Sequence, residues 1–332
     1  MRAAVIGGGA WGTALAISLS QNGHQVALWT FEKELVAEMQ ATRVNPRLPG
    51  AMLPEGIAVT ADYACAAGCD MVVIACPSFP IRSVCRNVAP YLDEKTVLVS
   101  VTKGIEDNTH LRMSQVVHEV TGRPVVVLTG PSHAEEVALN LPTGCLVACE
   151  NRALAEFVQD AFMSDTFRIY TSPDPVGAEL GAALKNVIAL CAGVTDGLGY
   201  GDNTKAMLMT RGLTEIARLG VSLGAKKETF AGLAGVGDLI VTCTSMHSRN
   251  RRAGILIGQG RGTQEAMQEV GAVVEGYYAA KSAWELAKSQ GVEMPIVHAA
   301  YSVLYEGMDA SQAVRQLLQR QRGTESEDAG WL

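Results

Sequence analysis

The first twelve residues constrain the fold of this 332-residue chain more than any other segment. The segment MRAAVIGGGAWG is an apolar run that ends in glycines, and Gly7, Gly9 and Gly12 have the spacing G-x-G-x-x-G. The alanine-rich run 13–19 behind them favours a helix. In a strand–turn–helix unit the first glycine permits a tight turn, the second lets the backbone approach a pyrophosphate, and the third allows close helix–strand packing. Free amides at the helix N-terminus then bind the anion, so the segment predicts a dinucleotide site.

Short apolar runs alternate with helical patterns through the first half of the chain. The predicted strands are Ala3–Gly7, Gln25–Thr30, Ile57–Thr60, Met71–Ala75, Val97–Val101, Val125–Thr129, Cys145–Cys149 and Phe167–Tyr170. The predicted helices between them are Trp11–Gln21, Lys33–Gln40, Ile81–Val88, Leu111–Val120 and Arg152–Met163. This alternation predicts an α/β, doubly wound, largely parallel sheet with helices on both faces.

The pattern changes at Thr171-Ser-Pro-Asp-Pro175, beyond which helical periods are long and strand signals are few. We therefore expect a Rossmann-type dinucleotide-binding domain at 1–173 and an all-α substrate domain at 174–320. The polar residues 321–332 are expected to form a mobile tail.

Composition excludes several classes of function. The net charge of −7 argues against a general nucleic-acid role, and no aromatic residues interleave the basic run 249–252. Charged residues such as Asp70 and Lys185 interrupt the apolar runs, so we expect no membrane span and, with no secretion signal ahead of the first strand, a cytoplasmic protein. The eight cysteines form no four-ligand set with histidines, which favours buried thiols and no metal site.

Glu32 is the candidate that reads the cofactor ribose. It follows the second predicted strand, 20 positions after Gly12, where an acidic side chain accepts from the 2′-hydroxyl of NAD. A carboxylate there repels the extra phosphate of NADP. Glu34 is a competing candidate, and the alternative interpretation makes Glu32 a solvated residue at the start of the next helix.

Lys185 is the candidate general acid or base. It shares a helical stripe with small residues only, namely Ala178, Gly181, Ala182, Ala189 and Ala192. Partial desolvation lowers the pKa of a lysine and makes it usable in proton transfer near neutrality. The alternative is a lysine whose ammonium group reaches water from the flank of the helix. Asn186, next to it, is a candidate hydrogen-bonding residue.

Further polar residues cluster in loops. The segment 194–205, with three glycines, predicts a loop at a helix end, and the segment 232–250 supplies Asp238, Thr242, Ser248, Arg249 and Asn250. Ser248 is a candidate helix N-cap, and Arg249 suits a phosphate. Lys103 and Ser132 follow predicted strands, at the sheet edge where ligands bind. His133 is either an acid–base residue or a structural histidine.

The motifs together resemble the NAD(P)-dependent glycerol-3-phosphate dehydrogenases, in their bacterial form. The matching strings are GGGAWGTALA, CPS, TKGIE, GPSHAEEVA, AALKNVIA, DGLGYGDNTKA, GLAGVGDLIVTC, SRNRR, VVEG and GVEMPI, between residues 7 and 296. The resemblance implies a helical second domain of the 6-phosphogluconate-dehydrogenase type. It also implies a homodimer that transfers hydride between nicotinamide and dihydroxyacetone phosphate, giving sn-glycerol 3-phosphate for phospholipid synthesis.

The resemblance also implies residue roles. Lys185 matches the proton acceptor, and Lys103 matches the lysine that touches both cofactor and substrate. The matches to substrate positions are Gly130, Ser132, Asp238, Ser248, Arg249 and Asn250. The matches to cofactor positions are Ala10, Trp11, Ala134, Arg249, Val273 and Glu275.

The chain departs from the bacterial pattern at two places. Basic residues common in that pattern are replaced by Phe31-Glu32, which favours NAD, with NADP as the alternative cofactor. The tyrosine of N-x-x-Y-L-P is missing from Asn45-Pro-Arg-Leu48-Pro49, where Arg47 is a candidate substitute. Two other functions stay open: a sister dehydrogenase acting on another phosphorylated or acidic alcohol, and a non-catalytic NADH sensor.

Overall fold

The structure is a computed structural model, and it describes residues 1–321 and 324–325. The predicted mobile tail at 321–332 therefore lies mostly outside the described residues.

One eight-stranded sheet forms the first half of the chain. Its strands are β1 (Arg2–Ile6), β2 (Gln25–Trp29), β3 (Ile57–Thr60), β4 (Met71–Ile74), β5 (Val97–Ser100), β6 (Val125–Thr129), β7 (Thr143–Ala148) and β8 (Phe167–Ser172). The spatial order is β3-β2-β1-β4-β5-β6-β7-β8. Neighbours are parallel except β6 and β7, which run antiparallel. The central strands are buried on both faces, as their continuous apolar sequences require.

Helices cover both faces of this sheet. They are α1 (Ala10–Gln21), α2 (Lys33–Thr42), α3 (Ile81–Val88), α4 (Met113–Thr121), α5 (Ala134–Ala138) and α6 (Arg152–Phe162). One core layer contains Val5 and Leu15, and the layer on the opposite face contains Ile6 and Ile81. The predicted doubly wound α/β domain is confirmed.

The described part of the second half is helical. Its helices are α7 (Pro175–Gly197), α8 (Asp202–Ser222), α9 (Lys227–Phe230), α10 (Asp238–Thr244), α11 (Arg249–Gly258), α12 (Thr263–Val270), α13 (Glu275–Gln290), α14 (Pro295–Tyr305) and α15 (Ala310–Leu318). Helix α7 is the central element, and α11 crosses it at very short range. A Cβ atom added to Gly193 would lie 2.0 Å from the carbonyl oxygen of Arg251, so only glycine fits there.

One expectation about α7 is wrong. The loop predicted at 194–205 is restricted to 198–201, because α7 continues to Gly197 and α8 begins at Asp202. Val194 and Thr195 are buried in the core, and this packing outweighs the low helix propensity of the glycines. Helix α7 is also long and apolar enough to cross a membrane, but 89% of its most hydropathic window is buried inside the protein. It has the burial expected of a core helix.

A buried polar contact joins the helical half to the sheet. The carboxylate of Glu179, on α7, accepts from the backbone amide and the hydroxyl of Ser114 at 2.7 and 2.6 Å and also pairs with Arg112. Ser114 lies in the first turn of α4, which begins on the carboxyl side of the sheet. The contact therefore holds α7 against the sheet edge where the candidate site residues lie.

Candidate active site

The glycine turn between β1 and α1 is shaped for close approach of a ligand. Gly7 has φ of 140°, and a Cβ atom on it would lie 2.5 Å from the carbonyl oxygen of Ala75. A Cβ atom on Gly12 would lie 2.0 Å from the Gly7 oxygen, whereas Gly9 has no atom within 4 Å of that position. No side chain caps the first turn of α1, which begins with Ala10 and Trp11. The turn thus offers open space and amide donors, which fits a pyrophosphate.

Two lysines, one from each half of the chain, contact one buried aspartate. Asp238, 1% exposed, contacts the Lys185 ammonium through Oδ1 at 2.8 Å and the Lys103 ammonium through Oδ2 at 2.7 Å. Lys185 also donates to the hydroxyl of Thr242, which donates to the Asp238 carbonyl at 2.6 Å. The cluster gathers residues from α7, α10 and the segment after β5 around one carboxylate.

The loop after β6 joins the same cluster. The Lys103 ammonium donates to the carbonyl oxygen of Gly130 at 3.2 Å, and the Ser132 hydroxyl donates to that oxygen at 3.0 Å. Six residues predicted from the sequence for the substrate site, Lys103, Gly130, Ser132, Lys185, Asp238 and Thr242, are therefore linked by direct contacts.

Burial and charge tune this cluster in opposite directions. Burial lowers the pKa of Lys185 to about 8; Asp238 raises that pKa and Lys103 lowers it. Burial by itself raises the pKa of Asp238. The two ammonium groups outweigh burial and hold the pKa of this carboxyl below its usual range. A lysine that titrates near neutrality beside a fixed carboxylate is suited to proton transfer.

The N-terminus of α11 lies next to this cluster. Ser248 caps the helix, as predicted, because its hydroxyl accepts from the Arg251 amide at 3.2 Å. Asn250 donates to the Asn186 side chain at 2.9 Å and accepts from the Gly276 amide at 2.8 Å, which ties α11 to α7 and α13. Arg249 is exposed in the first turn. A helix N-terminus with an arginine is suited to bind an anion.

Sequence reasoning missed the ion network that anchors α11. Asp196, on α7, binds the Arg251 guanidinium at 2.8 Å through Oδ2 and the Lys205 ammonium at 2.7 Å through Oδ1. These three residues lie within the strings DGLGYGDNTKA and SRNRR, so their presence was visible, but their pairing required the tertiary structure. The network fixes the position of the α11 N-terminus.

Three other predicted cofactor residues lie at the starts of helices, namely Ala134 at α5, and Val273 and Glu275 at α13. Glu275, at the start of α13, accepts from the hydroxyl of Ser78 at 2.9 Å, and burial raises the Glu275 pKa. Ser78, in the CPS string after β4, was not predicted as a site residue. Ala134 opens α5, which packs on α1, and Val273 precedes α13 half-buried.

Glu32, just after β2, forms an ion pair with Arg47 that the sequence analysis did not predict. Both Glu32 carboxylate oxygens lie 2.6 Å from Nη2 of Arg47. Phe31 beside it is 70% exposed, and Glu34 is exposed on the first turn of α2. Glu32 therefore follows β2 and forms an ion pair, while its contact with a cofactor ribose stays a prediction.

Profiles of one family match nearly the whole chain. The profile described as the N-terminus of NAD-dependent glycerol-3-phosphate dehydrogenase matches residues 2–155, and the profile of the C-terminus matches residues 174–315. The chain belongs to the NAD-dependent glycerol-3-phosphate dehydrogenase family.

Individual relatives agree with this assignment. A glycerol-3-phosphate dehydrogenase [NAD(P)+] of Thermoanaerobacter is 51% identical over 97% of this chain and 98% of its own length. The corresponding protein of Moorella thermoacetica is 52% identical over 99% of this chain and 98% of its own length. The crystal structure of glycerol-3-phosphate dehydrogenase from Coxiella burnetii superposes with a TM-score of 0.93 at 40% identity, covering 96% of this chain and 99% of that one.

One ring nitrogen of His133 lacks a hydrogen-bond partner among the described residues. This atom, Nε2, is buried, and the ring centroid lies 5.5 Å from that of His247. Burial, and then Lys185, lower the pKa of His133 below its usual value, which favours the neutral ring. The choice between an acid–base and a structural role stays a prediction.

The cysteines of the described chain are free thiols. Burial raises the pKa of several of them, for example that of Cys145 to about 12, which keeps them protonated. Within residues 1–321 and 324–325, no group of three or more His, Cys, Asp or Glu side chains is arranged to hold a metal ion.

Proposed function

We propose that this chain catalyses the reversible reduction of dihydroxyacetone phosphate to sn-glycerol 3-phosphate with NADH or NADPH, which supplies glycerol 3-phosphate for phospholipid synthesis. The observation that carries the proposal is the buried ammonium of Lys185, held 2.8 Å from Asp238 with its pKa lowered to about 8. A proton donor of this kind is what reduction of a carbonyl requires.

Lys185 has the catalytic role in this proposal. The dinucleotide, when bound, supplies the hydride to C2 of the substrate or accepts it from there. As negative charge develops on the C2 oxygen, the Lys185 ammonium donates its proton to that oxygen; in the reverse direction the neutral amine accepts it. Lys103 polarises the same oxygen, and Asp238 holds both ammonium groups in place before the substrate arrives.

The phosphate of the substrate is assigned to the N-terminus of α11. Arg249 supplies a bidentate cation, and Ser248 and Asn250 supply the neighbouring polar groups. Asp196, through Arg251, fixes the helix end that presents them. Gly130, Ser132 and Thr242 complete the proposed substrate site around the two lysines.

The cofactor is assigned to the edge of the sheet. The turn with Gly7, Gly9 and Gly12 would hold the pyrophosphate, and its amide donors and open space fit that group. The other proposed cofactor contacts are Ala10, Trp11, Phe31, Glu32, Lys103, Ala134, Arg249, Val273 and Glu275. Because Glu32 is an acceptor for the ribose hydroxyl, NAD(H) is expected to be used at least as well as NADP(H).

An absorbance assay with purified protein tests the activity. Dihydroxyacetone phosphate should drive oxidation of NADH, and dihydroxyacetone without the phosphate should drive it far more slowly because Arg249 then has no anion. Replacing the exposed Lys95 with methionine is a surface control that should retain the wild-type rate. Absence of NADH and NADPH oxidation by the wild-type protein would refute the proposed reaction and leave the sensor hypothesis.

Three further proposals concern organisation. We place the boundary between the cofactor-binding and catalytic domains after residue 173, since β8 ends at Ser172 and α7 begins at Pro175. We propose a homodimer because apolar side chains such as Met207, Ile240 and Met246 are exposed on the helical half. Free thiols support a reducing, cytoplasmic location. Light scattering during size-exclusion chromatography and cell fractionation test the last two.

A further inference from the structure

The Glu32–Arg47 ion pair lies where the adenosine ribose of a dinucleotide would bind. Strand β2 pairs with β1, and the Gly7 amide donates to the Trp29 carbonyl at 3.0 Å, so the end of β2 adjoins the glycine turn. Glu32 follows at the N-cap of α2. In dinucleotide-binding sheets this position contacts the adenosine ribose. Glu32 and its partner Arg47 are therefore at the adenosine end of the proposed cofactor site.

The loop that carries Arg47 is anchored to the glycine turn itself. Asn45 is fully buried, and its amide group donates to the Gly8 carbonyl at 3.0 Å and to the Thr13 hydroxyl at 2.6 Å. Its side-chain oxygen accepts from the Arg47 amide at 3.0 Å. Arg47 is thus positioned without help from a ligand, which reduces the cost of ordering it on binding.

Most N–H donors of the Arg47 guanidinium make no hydrogen bond to a described residue. One nitrogen, Nη2, serves both carboxylate oxygens of Glu32, and the side chain makes no other hydrogen bond to a described residue. The two side chains are 43% and 30% exposed, so both are open to solvent on this edge. A lone carboxylate repels a 2′-phosphate, whereas this pair is neutral and its arginine suits bidentate phosphate binding.

We propose that Arg47 is the residue through which this site accepts the 2′-phosphate of NADP(H), while Glu32 binds the ribose hydroxyl of NAD(H). With NAD(H), Glu32 accepts from the hydroxyl and stays paired with Arg47. With NADP(H), the guanidinium turns to the phosphate and offsets the charge of Glu32. The inference rests on the proposed dehydrogenase function and deepens it: discrimination between the cofactors is weak because the two halves of the pair favour different cofactors.

Direct binding measurements test this. Dissociation constants of NADH and NADPH, with adenosine 2′,5′-bisphosphate and AMP as probes that lack nicotinamide, are measured by calorimetry for wild type, Arg47→Gln and Glu32→Gln. Loss of a charge-assisted hydrogen bond corresponds to about 10–100-fold in affinity. Arg47→Gln should raise the NADPH/NADH ratio of dissociation constants by about that factor. Glu32→Gln should lower the ratio, since it removes a repulsion and frees Arg47.

The opposite directions separate a specificity role from a structural one, because simple loss of the ion pair would move both variants the same way. Arg152→Gln is the matched control: it breaks another exposed arginine–glutamate pair, with Glu156, and should leave every constant unchanged. An unchanged ratio in Arg47→Gln, or equal weakening of both cofactors, would overturn the inference while the wild-type dehydrogenase activity stands. Failure of the wild-type protein to bind either cofactor would overturn the proposed function as well.

Discussion

Replacing Asp238 with asparagine keeps the size of the side chain and removes the negative charge between the buried Lys185 ammonium and the partly exposed Lys103 ammonium. The gross attraction between Asp238 and Lys185, 2.8 Å apart, is about 6 kcal/mol at an effective dielectric constant of about 20. The carboxylate also serves Lys103 and is itself desolvated, so the net effect is smaller. An opposite charge at this range shifts a pKa by about 1–3 units. The pKa of Lys185, about 8 in the wild type, should fall by that amount.

The assay is the pH dependence of kcat in both directions. In the proposed mechanism reduction needs protonated Lys185, so its rate should fall above about pH 8 in the wild type and from a lower pH in the variant. With a shift of about 2 units, the protonated fraction of Lys185 at pH 7.5 decreases about 25-fold. Oxidation needs the neutral amine, so its rate should begin to rise at lower pH in the variant. Stability should also fall, by about 3–5 kcal/mol at neutral pH, because the buried Lys185 ammonium and the partly exposed Lys103 ammonium lose their shared partner.

Asp196→Asn is the control for this experiment. Asp196 also binds two cations, Lys205 and Arg251, but does not contact Lys185. The variant should raise KM for the phosphorylated substrate and leave unchanged the pH above which the rate of reduction falls. If Asp238→Asn retains the wild-type limb near pH 8 in a folded, active enzyme, the assignment of Lys185 as the proton donor tuned by Asp238 is wrong.

Three other outcomes follow from the geometry. Lys185→Ala should lower kcat for reduction by on the order of 100-fold or more, and full activity would refute the mechanism. Gly9→Ala should leave the melting temperature of the ligand-free protein unchanged but weaken NADH binding. In Gly12→Ala the new Cβ atom would lie 2.0 Å from a carbonyl oxygen, so this variant should be less stable by about 1–3 kcal/mol in denaturant titrations. Burial raises the pKa of Glu215 from 4.5 to about 7. The protonated carboxyl is the form that the fold favours, so this contribution to stability is lost as pH rises through 7. Glu215→Gln should therefore stabilise the protein at pH 8.5, by up to about 3 kcal/mol, but not at pH 5. Glu179→Gln, which breaks a buried ion pair, should destabilise at both pH values, and equal effects of the two variants would contradict this account.

The Rossmann sheet was predictable because its signals are local. Each strand is a short apolar run, and the glycine turn at residues 7–12 specifies its own shape. The antiparallel placement of β7 was not expected, since strand direction depends on the path of the chain between β6 and β7. The continuation of α7 to Gly197 was missed for a related reason: burial against α11 compensates for glycines that weaken a helix in isolation.

In the candidate site, too, local sequence patterns were predictable and contacts between distant residues were not. Lys185 was identifiable because an apolar helical stripe with one lysine is visible in the sequence, and Ser248 because an N-cap is a local pattern. The partner of Glu32 was not identifiable, since a carboxylate and an arginine in separate elements carry no mutual signal. The same holds for Ser78 and Glu275, which are 197 positions apart.

The sequence by itself determined the sheet, the glycine turn and the position of Lys185 within an apolar helix, because each depends on neighbours in the chain. Only the tertiary structure decided which charges meet. Lys103 and Asp238 are separated by 135 positions, yet their contact at 2.7 Å, together with burial, governs the titration of the site. A pKa depends on the desolvation and on the charges that surround a group in space, and folding alone brings those charges together.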